Sequence, residues 1–283
     1  MILCTILFAF SRLILLNAEI ESERCHHHGY NFSYAVGMRG PYNWPVIYSS
    51  CAGTKQSPIN IDTYNMENLK VRPLEWNFGY FSTPKYMTLM NNGHELVLQA
   101  HFDTDCRPTL NGGPLHKAYK FHSITFHWGD DETEGSEHTI DELAYPMEMQ
   151  VIHTCSSNTD QSRNLVIVAY LFQVTNEENK PMNKILQVFI QALKHPYQPI
   201  KLKRPFTIAS LATPFSYSYV TYYGSITIPP CTEGVRWIVY PYPLDISKPQ
   251  MEIFRKVGRY APDLRKNFRP LQPINNRKIY FVT

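Results

Sequence analysis

Residues 121–153, FHSITFHWGDDETEGSEHTIDELAYPMEMQVIH, constrain the fold more than any other stretch of the chain. Both ends alternate on a two-residue period, as strands do when successive side chains point to opposite faces of a sheet. In FHSITFHWG, Ser123, Thr125 and His127 share one face. In YPMEMQVIH, Glu148, Gln150 and Ile152 share one face, and Met149, Val151 and His153 the other. An acidic turn and the segment Gly135-Ser136-Glu137-His138-Thr139 join the two strands. Twenty-one prolines and many short Val, Ile, Tyr and Phe runs among 283 residues extend the β reading to the rest and argue against a helical bundle. At 43% hydrophobic and 13% aromatic, the chain can bury one large core. Its formal charge of +3, with no basic block, argues against nucleic acid as a partner.

FHWG, GSEHT and MEMQVIH resemble the core of the α-class carbonic anhydrases. In that family two His on the first strand and one on the second hold a zinc. Laid on this pattern, the ligand positions are Thr125, His127 and Gln150, so one histidine stands where three are needed. A hydroxyl and a carboxamide are poor substitutes for imidazole at a tetrahedral, borderline-soft cation. Ser123 also stands where the family has a Gln that orients the first ligand, and losing such a partner alone costs ~10–100-fold in metal affinity. Strand parity sets His122, five residues before His127, and His153, three after Gln150, on the opposite face, unless a bulge shifts the register. The resemblance gives His138 a structural role.

Other motifs follow in the family's order. Gln56-Ser57-Pro58-Ile59-Asn60-Ile61 matches the entry into the central sheet. Cys51 and Cys231 fall at positions bridged in secreted members, where a disulfide would stabilise the fold by ~2–5 kcal/mol; the alternative is two buried free thiols. If Cys4 leaves with a signal segment, Cys25, Cys106 and Cys155 form an odd set with no assigned pairing. In NNGHELVLQA, His94 takes the place of the proton-shuttle histidine, with Asn92 beside it; without a metal it becomes an ordinary cleft histidine. Thr227, in GSITIPP, and Glu137 take the places of the gatekeeper pair, expected here as a structural hydrogen bond. Ile228 replaces the polar residue that follows the threonine in active forms. NFRPLQPINNRKIYFV, with Asn267, Arg269, Gln272 and Arg277, matches the closing segment.

The resemblance covers about residues 30–281 and implies a mainly β (α+β) single domain: a large, mostly antiparallel twisted sheet, short peripheral helices and a cone-shaped cleft. His127, Gln150 and Ile after the threonine resemble the acatalytic related proteins X and XI. An acatalytic, secreted protein that binds an extracellular or cell-surface protein is therefore expected, with no cofactor. The alternative is a zinc enzyme hydrating carbon dioxide.

At the N-terminus, residues 1–18 are apolar, end in small residues and read as a cleaved secretory signal; Ser11-Arg12 interrupts the run, and no membrane span is expected. Residues 19–29 form a lead-in, and the domain runs over 30–283. Cys25 and the run His26-His27-His28 are expected to be solvated rather than a metal store. Asn31-Phe32-Ser33 is a glycosylation acceptor in a secreted chain. Further on, NLVIVAYLFQV suits a strand buried on both faces, and MNKILQVFIQALKH an amphipathic helix.

Overall fold

The structure is a computed structural model describing residues 31–103, 106–155, 164–256 and 264–283. The expected signal segment, the lead-in, Cys25 and the histidine run lie outside the described residues. Residues Ser33–Thr283 form one compact unit.

The alternating runs become strands β1 (Asn60–Ile61), β2 (Glu67–Leu69), β3 (Leu74–Trp76), β4 (Tyr86–Asn91), β5 (Leu96–His101), β6 (Thr109–Gly112) and β7 (Tyr119–Trp128). They continue as β8 (Thr139–Ile140), β9 (Met147–Thr154), β10 (Leu165–Thr175), β11 (Ile200–Lys201), β12 (Tyr219–Ser225), β13 (Glu233–Ser247) and β14 (Tyr280–Val282). The helices are α1 (Trp44–Ile47), α2 (Lys180–Lys194), α3 (Ile208–Leu211) and α4 (Lys248–Arg255). Among the described residues, twelve strands form one twisted sheet ordered β11-β4-β5-β7-β9-β10-β13-β12-β14-β2, with β6 pairing to β7 and β3 to β6. Most pairings are antiparallel; β10 with β13 and β14 with β2 run parallel. The expected mainly β architecture holds.

Strand β10 lies between β9 and β13 and is buried on both faces, as its unbroken apolar run requires. Val166, Val168, Tyr170 and Phe172 face the larger core cluster, with Ile124, Phe126, Met149 and Val151. Ile167 and Ala169 face a second cluster with Val220, Tyr222, Trp237 and Val239. Helix α2 lays Met182, Ile185, Phe189, Ala192 and Leu193 on the larger cluster. Its first turn is capped by Asn179 Oδ1, which accepts from the Met182 amide at 3.1 Å. Gln250 Oε1 accepts from the amides of Ser247 and Asn179, so one side chain joins the starts of α4 and α2.

One local departure from alternation matters. The β7–β9 register shifts between Phe121 and Ser123, leaving His122 as the extra residue of a bulge. Phe121 therefore joins Ile124 and Phe126 on the core side. His122 Nδ1 lies 2.9 Å from Ser123 Oγ, and the register shift removes the strict parity expected for this histidine. Cys51 and Cys231 form a disulfide that ties the turn at Ser49–Ala52 to the β12–β13 connection. Cys106 and Cys155 are free thiols. Among the described residues, no helix is long and apolar enough to cross a membrane.

Candidate functional site

Pairing of β7 with β9 sets Thr125 directly opposite Gln150, and His127 opposite Glu148. These residues occupy the face turned away from the larger core cluster, beside the second one. All four are buried.

His127 is oriented by the closing segment. Its Nδ1 donates to the Asn267 carbonyl at 2.8 Å, since a carbonyl can only accept, and this aims Nε2 into the site. Asn267 also clamps the end of β7: its Nδ2 donates to Phe126 O and its Oδ1 accepts from Trp128 N, both at 2.9 Å. Glu95 Oε1 lies 3.5 Å from His127 Nε2, and Glu137 Oε1 lies 3.7 Å from Nδ1 on the other side of the ring. Burial pulls the His127 pKa down, but the carboxylates of Glu137 and Glu95 outweigh it and the net shift is upward. Burial also raises the Glu95 pKa, only partly offset by His127. Both shifts make this pocket hold a proton that exposed side chains would release.

Gln150 is held by carboxylates. Its Nε2 donates to Glu137 Oε2 at 2.6 Å and to Glu148 Oε1 at 3.0 Å. Two acceptors fix the amide nitrogen on that side, so Oε1 points away from them. Glu148 further accepts from the amides of Glu137 and His138 and from His138 Nδ1. Burial opposes its charge, but His138 and these hydrogen bonds bring its pKa below the usual carboxylate range. His138 Nε2 meets Tyr222 Oη at 2.7 Å, and its ring packs on Trp237, which is the structural role the resemblance implied.

Glu137 takes its remaining hydrogen bond from the Arg269 amide at 3.1 Å. Among the described residues, none reaches it from Thr227, so the expected Thr227–Glu137 bond is not made. Thr227 is buried in the β12–β13 connection. Arg269, buried and lowered to about 10, donates through Nη1 to Gln56 Oε1 and Ser57 O. The entry motif, the closing segment and the site thus form one network. His94 is half-buried in the turn between β4 and β5. His153 lies on the core side, hydrogen-bonded to Tyr80 Oη, as its parity required. His122 borders an open pocket of about 280 Å³ with Gln99, His101 and Arg107. Asn31 is exposed.

Glu95 is the site residue that the sequence reading missed. Its signal was the alternation Glu95-Val97-Gln99 leading into β5, with an acid at a position that a buried strand would fill with an apolar residue.

Comparison with known proteins agrees with this architecture. The family model for eukaryotic-type carbonic anhydrase matches residues 39–283. Carbonic anhydrase 7 of Mus musculus is 32% identical over 253 residues, covering 85% of this chain and 93% of that protein. Carbonic anhydrase 5A, mitochondrial, of Homo sapiens is 31% identical over 250 residues, covering 84% and 79%. The protein named carbonic anhydrase-related protein in Rattus norvegicus is 32% identical over 266 residues, covering 83% and 85%. The family-model match over most of the chain and these relatives place the chain in the eukaryotic-type carbonic anhydrase family.

Proposed function

We propose that this chain is a secreted, acatalytic carbonic-anhydrase-related protein that acts by binding an extracellular or cell-surface protein. The donor set at the ligand positions carries the reading. It offers one imidazole, one hydroxyl and an amide whose nitrogen is committed to Glu137 and Glu148. Among the described residues, no three His, Cys, Asp or Glu side chains are grouped as a metal site. This set does not fit a zinc held by three imidazoles. Identity does not separate the two classes of relative, since carbonic anhydrase 7 and the related protein both stand at 32%. The donor chemistry at the ligand positions supports the related-protein reading.

A zinc-dependent carbon dioxide hydratase is the competing reading, favoured by one observation. His127 keeps Nδ1 on a backbone carbonyl and Nε2 directed into the site, the orientation a ligating histidine needs. Elemental analysis and stopped-flow hydration on purified, tag-free protein separate the two. The expected result is zinc well below one ion per chain and hydration at the buffer rate. Stoichiometric zinc with acetazolamide-sensitive hydration would overturn the proposal.

A further inference from the structure

We propose that Glu95 is a second, independent block on hydration: its carboxylate occupies the coordination position that a catalytic metal must keep open. The inference rests on the assignment of Thr125, His127 and Gln150 to the ligand positions.

Local structure places Glu95. The β4–β5 hairpin pairs Asn91 with Leu96, leaving a four-residue turn with Gly93 at φ 91°. Asn92 Oδ1 accepts from the amides of His94 at 3.0 Å and Glu95 at 2.7 Å, and the Asn92 amide donates to Glu95 O at 3.1 Å. The backbone entering β5 is therefore fixed. Leu96 pairs with Phe126 and Val97 with Thr125, so one step further along this register sets Glu95 across from His127, on the face shared by Val97 and Thr125.

The resulting contact is an ion pair whose spacing also matches that of two neighbouring ligands of one metal. Oε1 to Nε2 is 3.5 Å, beyond the ~2.7–3.2 Å of a good hydrogen bond. Two ligands each ~2.1 Å from one tetrahedral zinc stand ~3.4 Å apart. Among the described residues, His127 Nε2 and Thr125 Oγ1, both buried, have no hydrogen-bond partner, while Glu95 is only 6% exposed. With imidazoles restored at 125 and 150, His127 and Glu95 would complete four protein donors. A four-donor sphere is the closed arrangement of structural zinc sites, whereas catalytic sites hold three protein ligands and one open position.

Thr125→His with Gln150→His is compared with the same pair carrying Glu95→Ala. Zinc stoichiometry, hydration and the visible spectrum of the cobalt(II)-loaded forms with added azide are measured for each. The double variant should bind one zinc per chain, leave its cobalt spectrum unmoved by azide and hydrate carbon dioxide at background. The triple variant should bind zinc, shift its cobalt bands with azide and raise hydration by ~100-fold or more. An azide-responsive, active double variant, or a triple variant no better than the double, overturns the proposal. Should the alanine variant fail to fold, Glu95→Gln in its place keeps the side-chain volume and is judged by the same outcomes. Zinc and hydration in the unmodified protein would instead overturn the ligand assignment, and this inference with it.

Discussion

Burying an imidazole costs solvation, and the three buried histidines near the sheet centre meet that cost differently. His127 is held between a backbone carbonyl and two carboxylates, and His138 between Glu148 and Tyr222. His153 has aromatic neighbours and the Tyr80 hydroxyl. Burial therefore pushes His153 down to about 3. An unfolded histidine titrates near ~6.5. As pH falls below that value, the unfolded chain takes up a proton that native His153 refuses. Its contribution is thus fully present above ~6.5 and is lost at ~1.4 kcal/mol per pH unit on the way down. Urea unfolding at pH 7, 6 and 5 should show that the stability gap between the native chain and His153→Gln shrinks by about that slope. A gap independent of pH would mean that the native state protonates His153 after all.

At the scale of elements, strand alternation, the helical period of α2 and the apolar run of β10 were all legible, because each follows from the spacing of residues within one segment. The bulge at His122 was not, since it exists only in the register of β7 against β9. The disulfide belongs to this scale as well. It joins two connections 180 residues apart in sequence, and both bridged residues also hold the polar network. Cys51 O accepts from Arg269 Nη2 at 3.4 Å, and Cys231 O from Gln56 Nε2 at 3.2 Å. Replacing both cysteines with serine should cost about 2–5 kcal/mol. Thermal melts with and without reductant check this: reduction should lower the native protein's midpoint and leave the double serine variant unmoved.

For the molecule as a whole, the proposal of secretion makes its own prediction. Expressed through a eukaryotic secretory pathway, the mature chain should begin just after Ala18 and carry an N-linked glycan at Asn31. Intact-mass measurement before and after glycosidase treatment, beside Asn31→Gln, tests both; an unprocessed, unglycosylated chain in the cytosol would contradict them. What the sequence determined by itself was a β-rich fold, because period-two alternation is a property of contiguous residues, while it was the resemblance of its short motifs that assigned Thr125, His127 and Gln150 to the ligand positions. The tertiary structure decided which distant groups meet there. Glu95 faces His127 across the β5–β7 register, Asn267 clamps the end of β7 from 139 residues away, and Glu137 bonds Gln150 and Arg269 rather than Thr227. Such contacts are set by strand pairing and chain closure, whose partners lie far apart along the chain, and no local pattern of residues encodes them.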